Sequence, residues 1–327
     1  MERNDLLKFI EEEIPNCFVE ANVVINVGKS KVKGVKVTHK PNKAMREMHS
    51  KILELLYSKN IEAKENFPFA FAWVSGTSEP VNQALLFHKR KDTGFFPTYW
   101  YITDIKDAYE SVNIENLADL LSLVFEEEIS SSSWKKILEK FCQGKYGGLA
   151  RGYSTSPLLF NFYASCMIDS LLHVLASHYG CTFCRLGDDI IITSTEPIGR
   201  RKRKRFLDII REAGFTISVK KTRYINLKVQ KTFKIFNVMV RNSVYGPTIL
   251  PTRKTQMKMK GMLFVERSIN MDLIDKNELR NKIHGWNGFC KIPEGFSLKN
   301  YKKIQEGYKN LKEKIKNEKY FKAQGIW

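Results

Sequence analysis

Acidic residues are in short supply, and histidine and cysteine more so. Against 54 Lys+Arg stand 35 Asp+Glu, with 6 His and 6 Cys in 327 residues. The acidic deficit leaves a net charge of +19. A surface of that sign draws a polyanion, with an affinity that falls steeply as salt rises, although basicity alone does not specify nucleic acid. No second Cys-x-x-Cys joins Cys181 and Cys184, and the two fall on an expected strand, so they read as buried thiols rather than zinc ligands. Reduced thiols fit an intracellular compartment. No His cluster has metal-ligand spacing. Long Gly/Ser linkers, low-complexity tracts and internal repeats are absent. The first 20 residues carry Glu11, Glu12 and Glu13 and no secretory apolar core, so a cytoplasmic location is expected. The long apolar run, Leu158 to Ala176, contains Asn161, Asp169 and His173 and has no charged flanks to anchor it. It reads as a buried core helix, and no membrane partner is expected.

What is present begins with Cys181-Thr-Phe-Cys-Arg-Leu-Gly187-Asp188-Asp189-Ile-Ile-Ile192, a pattern of strand, tight turn and strand. Two adjacent carboxylates in a turn repel each other, and a divalent cation between them removes that cost. Upstream, Thr98-Tyr-Trp-Tyr-Ile-Thr103-Asp104 is aromatic and β-branched, which places Asp104 at the end of a second strand. A helix follows: Asn113 is suited to cap it, and Leu117, Leu120, Leu121, Val124 and Phe125 recur at helical spacing. Should the two strands be neighbours, three carboxylates meet in a two-metal site of the kind that drives in-line phosphoryl displacement. Between them, Gln143 to Pro157 forms a loop rich in glycine and hydroxyls. Its small residues admit a close backbone or base pair, and Arg151 adds a fixed charge.

In this order the motifs resemble the palm of a reverse transcriptase. Asp104-Ile-Lys-Asp-Ala-Tyr109 resembles motif A, Leu149-Ala-Arg-Gly152-Tyr-Ser-Thr-Ser156-Pro157 motif B, and Leu186-Gly-Asp188-Asp189 motif C. Gly214-Phe-Thr-Ile-Ser218-Val-Lys-Lys221-Thr222 is similar to motif D. Phe71-Ala-Trp-Val-Ser-Gly76-Thr-Ser78 with Asn82 and His88, and before it Lys40-Pro41 with Met45 to Ile52, are similar to the segments preceding motif A in bacterial reverse transcriptases. The resemblance covers about residues 25–260. Leu186 stands where motif C usually has an aromatic, Ala150 and Arg151 where motif B has Pro and Gln, and Phe236-Asn237 where group II-like enzymes carry Leu-Gly. The retron Val-Thr-Gly tract is absent. Within the retron and group II intron-like superfamily, these departures point away from retrons, to a defence-associated or another bacterial lineage.

The resemblance implies an α+β right-hand polymerase, with fingers, a palm of antiparallel sheet packed on helices, and a helical thumb. Its activity would be that of an RNA-directed DNA polymerase. Asp104, Asp188 and Asp189 would bind Mg²⁺, with the carbonyl of Ile105 as a further ligand. Tyr109 would be the aromatic gate against a 2′-hydroxyl, and Arg151 and Gly152 would flank the incoming base pair. Lys221 would protonate the leaving pyrophosphate. Lys36 is assigned to the triphosphate, in competition with Lys29, Lys31, Lys33 and Lys40. Partners would be dNTPs, a DNA product and a structured non-coding RNA template, often in antiviral defence; homo- and hetero-oligomers both stay open. An RNA-dependent RNA polymerase and an idle RNA-binding scaffold are the rival readings. The first usually has a second Asp near the position of Tyr109; three intact carboxylates argue against the second.

Fingers and palm are expected over residues 1–245, bounded by the turn signals Gly246-Pro247 and Leu250-Pro251. The thumb is expected over 246–327, where lysines surround Ile304, Tyr308, Leu311 and Ile315. The run Arg200-Arg-Lys-Arg-Lys-Arg205, ahead of Phe206, Ile209 and Ile210, reads as a basic helix face.

Overall fold

A computed structural model describes residues 22–26, 36–75, 80–126, 128–236, 238–244 and 246–252, with Met257 and Glu313 as single helical positions. Lys29, Lys31, Lys33, the Gly76 to Ser78 stretch and the lysine-rich helices expected after residue 252 lie outside the described residues. The chain divides into two units, Met1–Phe87 with Tyr99–Tyr224, and His88–Thr98 with Ile225–Trp327.

The first unit opens with the hairpin β1 (Asn22–Asn26) and β2 (Lys36–Lys40), paired antiparallel. Helix α1 (Lys43–Ser58) follows, its first turn closed by the Asn42 side chain, which accepts from the Met45 N–H at 2.8 Å. Met45, Met48, Ile52, Leu55 and Leu56 recur on one face of α1 and are buried. Helix α2 (Pro80–Phe87) precedes the central strand β3 (Tyr99–Lys106). β3 is buried along all but its last residue, as its unbroken aromatic and β-branched run requires of a strand covered on both faces.

Helix α3 (Ile114–Val124) begins where the sequence places it, with the Asn113 side chain accepting from the Asn116 N–H at 3.0 Å. It packs on α4 (Ser131–Phe141) through Leu117, Leu121, Phe125, Trp134 and Leu138, all buried. The apolar run is helical throughout: α5 (Ser156–Ala164), a π-helical turn (Ser165–Asp169) and α6 (Ser170–His178). Among the described residues it is the one helix long and apolar enough to cross a membrane, yet over half of it is buried in this fold. Strands β4 (Thr182–Leu186) and β5 (Asp189–Ser194), helix α7 (Arg200–Glu212) and strands β6 (Thr216–Ile217) and β7 (Arg223–Asn226) complete the series. The sheet order is β4-β5-β3-β6, with β7 also on β3. Phe206 and Ile210 of α7 join Phe215, Ile190 and Ile192 in the core. The Cys181 and Cys184 thiols serve separate carbonyls, Tyr179 and Ala84.

In the second unit β8 (Thr232–Ile235), β9 (Val238–Ser243) and β10 (Gly246–Pro251) form an antiparallel meander. The segment that the sequence marks by two turn signals is therefore a strand. Its prolines are tolerated because β10 lies at the end of the strand order, where a missing N–H breaks no ladder. Among the described residues, Phe233, Ile235, Val238, Val240, Ile249 and Leu250 are buried apolar side chains of this sheet. His88 is fully buried, and that burial pushes its imidazole down to about 3, so it is neutral.

Overall, the described elements are a mixed α+β arrangement built on antiparallel sheets.

Candidate active site

Antiparallel pairing of β3 with β5 sets Asp104 directly opposite Asp189. The register is fixed on both sides of β3. The Ile105 N–H donates to the Asp188 carbonyl at 2.9 Å, and the Ser218 N–H donates to the Asp104 carbonyl at 2.8 Å. One carboxylate oxygen from each of Asp104, Asp188 and Asp189 lies within 4.8 Å of the others. Gly187 makes the tight turn between β4 and β5 at φ +65°, beneath the Trp73 ring. A Cβ there would stand 3.1 Å from the ring and in a backbone region costly for other residues.

Charge in this cluster is badly balanced. Burial first, then the charges of Asp188 and Asp104, push the Asp189 carboxyl up to about 7. Lys221 supplies part of the compensation, donating from Nζ to Asp104 Oδ1 at 2.6 Å. Partial burial works against its ammonium, but the hydrogen bond to Asp104 and the charges of all three aspartates outweigh that and raise its pKa. Three hard oxygen donors with an excess of negative charge suit a divalent cation such as Mg²⁺. The donor set therefore fits a metal centre.

Asp104 and Asp188 open on a cleft of about 650 Å³ lined also by Trp73, Ile105, Tyr109, Arg151 and Lys221, among others; Asp189 is not among its lining residues. Tyr109 is half-buried, edge-on to Phe160 at 5.6 Å between ring centres and 6.3 Å from Trp73. Burial, then the nearby Asp188 charge, push its phenol up to about 12, so the hydroxyl stays protonated. Arg151 lies on the wall but is already engaged, with Nη2 3.0 Å from Glu110 and 3.8 Å from Asp107. Gly152 is not among the lining residues. Its φ is +100°, and a Cβ would fall 2.4 Å from the His39 carbonyl oxygen. The backbone that comes close to it is that of β2, whose His39 N–H donates to the Arg151 carbonyl at 2.7 Å. Lys36 opens β2 opposite Asn26; its side chain lies outside the described residues.

A second layer was missed in the sequence. Arg185 is wholly buried, with 0 % exposure, and pairs in bidentate fashion with Asp169, itself 1 % exposed. Nε donates to Oδ1 at 2.8 Å and Nη2 to Oδ2 at 2.7 Å. Nη1 donates to Asn161 Oδ1 at 2.7 Å and to the Gly187 carbonyl at 3.0 Å, and Nη2 also reaches the Asn161 carbonyl at 3.2 Å. Asn161 Nδ2 in turn donates to the Ala72 carbonyl at 2.7 Å. One guanidinium thus ties the π turn, α5 and the Gly187 carbonyl beside Asp188, which suits its rigid fork of donors. The signal was present: Asn161 and Asp169 are polar residues in an apolar helix, and Arg185 is a charge in a strand. Each needs a buried partner.

Comparison with protein families matches residues 27–262 to the reverse transcriptase (RNA-dependent DNA polymerase) family. A comparison with curated proteins finds no match. Among solved structures, apo telomerase from Candida tropicalis aligns at TM-score 0.51 and 12 % identity, over 97 % of this chain and 63 % of that one. Telomerase from Candida albicans in complex with a TWJ fragment of telomeric RNA aligns at TM-score 0.49 and 13 % identity, over 90 % and 58 % of the two chains. This chain thus spans about three-fifths of the length of those telomerases, and at 12 % identity the likeness to the apo enzyme is one of fold.

Proposed function

The chain belongs to the reverse transcriptase family, whose match covers most of its length, and from that premise we propose that it is an RNA-directed DNA polymerase. The observation that carries the proposal is the meeting of Asp104, Asp188 and Asp189 within 4.8 Å, with Asp104 and Asp188 lining a cleft. In this reading the β3–β5 region is the palm, fingers and palm occupy residues 1–245, and a helical thumb lies within 246–327, after the strand β10. Asp104, Asp188 and Asp189, with the Ile105 carbonyl, would hold two Mg²⁺ ions. Bound there, the metals would acidify a primer 3′-hydroxyl and neutralise charge on the triphosphate. Lys221, which donates to Asp104, would give a proton to the leaving pyrophosphate. The test is primer extension on an RNA template with Mg²⁺. Extension with dNTPs is expected; efficient use of NTPs in their place would favour an RNA polymerase.

Tyr109 lines the cleft with its ring edge-on to Phe160. We assign it to exclusion of a 2′-hydroxyl. Tyr109→Ala is expected to reduce the dNTP-over-NTP ratio of kcat/KM by roughly 10-fold or more. An unchanged ratio would remove Tyr109 from selection.

Asp189 gives the metal site a pH signature. Unfolded, its carboxyl titrates near 3.8; folded, near 7. Below about pH 4 both states carry the proton, and above about 7 neither does. Between these limits the folded state holds more protons, so the contribution of Asp189 to metal-free stability falls as pH rises through that window. Mg²⁺ must displace that proton, so its stabilising effect should grow across the same window. Thermal melts with and without Mg²⁺ at several pH values check this, and an increment independent of pH would contradict it.

The lineage and partner follow from the resemblance. We propose that the template is a dedicated structured RNA and that the system serves phage defence. Sequencing RNA bound to the purified protein should return one dominant species, and mixed cellular RNA would count against the proposal.

A further inference from the structure

Helix α7 carries six consecutive cations, Arg200 to Arg205, and the fold uses them in two different ways. Lys202 and Arg203 are turned to the protein. The Lys202 ammonium lies 5.1 Å from the centre of the Tyr179 ring and donates to the Tyr179 carbonyl at 3.4 Å. The Arg203 guanidinium lies 4.2 Å from the centre of the Tyr224 ring. Phe206 and Ile210 anchor the same side in the core. Arg200, Arg201, Lys204 and Arg205 are exposed instead, and Arg211 extends their face into the last turn. Among the described residues, none of those four makes a salt bridge, whereas Arg211 is paired with Asp208 at 3.3 Å.

This arrangement opposes the stability of its own helix. The N-terminus of α7 has the positive end of the helix dipole, no side-chain cap and no acidic residue in its first turn. Arg200 and Lys204, and Arg201 and Arg205, are like charges one turn apart, where they repel. A solvated face chosen for solubility alone needs neither feature, because mixed charges serve that purpose without the repulsion. Four unneutralised cations on a rigid helix do suit a partner with a regular array of negative charge. They span roughly 8 Å along the axis at 1.5 Å per residue, enough to meet neighbouring phosphates of one strand.

We propose that this face of α7 is a docking surface for the phosphate backbone of structured RNA, separate from the residues that line the catalytic cleft. The inference rests on the polymerase reading only for the identity of the polyanion. Arginine dominates the face, and its planar fork matches phosphate oxygens better than a point charge does.

The test is the full chain with Arg200, Arg201, Lys204 and Arg205 all changed to Gln. Binding of a hairpin-rich RNA should weaken by on the order of 10²–10³-fold at 0.1 M salt, and the slope of log K against log salt should fall by about 3 to 4. Extension of a saturating short template–primer should be retained, and the variant should melt no lower than the parent because repulsion has been removed. An Asp188→Asn chain should do the reverse, losing extension and keeping RNA binding, so failure of the polymerase reading is seen apart from failure of docking. Unchanged RNA affinity and slope in the Gln variant would overturn the proposal. So would equal loss of the short template–primer, or loss confined to anionic lipid vesicles.

Discussion

An Asp188→Asn or Asp104→Asn chain is expected to lose nucleotide incorporation by on the order of 10³-fold or more while keeping its fold, because the loss falls on charge that is needed only around the reacting phosphates. The two positions differ in what remains. At Asp104 the substitution also removes the negative charge paired with the Lys221 ammonium, 2.6 Å away, and leaves an amide oxygen as a weaker acceptor. At Asp188 the backbone carbonyl still accepts from Ile105, so the β3–β5 register survives. Single-turnover extension measures the first effect. Titration of Mn²⁺ by paramagnetic resonance measures metal affinity without depending on turnover. A variant with wild-type incorporation would refute the carboxylate site.

The largest loss of stability is expected from Arg185→Met. That change leaves the Asp169 carboxylate buried without its guanidinium and costs about 3–5 kcal/mol. It also orphans Asn161 Oδ1 and the Gly187 carbonyl. Arg185→Lys retains a charge but not a fork, and one ammonium cannot serve both oxygens of Asp169, Asn161 and the turn together. Denaturant unfolding measures the cost. Changing Arg185 to Met and Asp169 to Leu together removes both charges, so much of the stability is expected to return. The Gly187 carbonyl still lacks its donor in that double variant. Its folded state should therefore bind Mn²⁺ more weakly than the parent, which separates holding the turn from holding the fold. Equal Mn²⁺ affinity would make Arg185 a stability residue alone.

Local features were legible from local chemistry. Asn113 caps α3 because its side chain competes for the first free N–H groups, and the apolar spacing that follows has one helical solution. Asp104 and the Asp188-Asp189 turn could be placed on strand ends from β-branched neighbours alone. The polar residues inside Leu158 to Ala176 argued for protein burial rather than lipid, and two of them are now seen satisfied by Arg185. The glycine and prolines of β10 signal turns in the sequence, and only its place at the end of a sheet makes a strand acceptable there. The sequence offers Arg151 as a fixed charge beside the base pair but not its partner, since Glu110 lies in a different segment and comes near it only once the chain folds.

The sequence by itself determined the type of chemistry: which residues bear charge, which strands and helices they end, and the surplus of cations over anions. Tertiary structure decided who neutralises whom. Lys221 meets Asp104, Arg185 meets Asp169, and Lys202 and Arg203 turn inward while their neighbours on α7 do not. Periodicity is a property of adjacent residues and can be read along the chain. Charge pairing depends on distance and dielectric, which exist only after packing has brought remote segments together and excluded water.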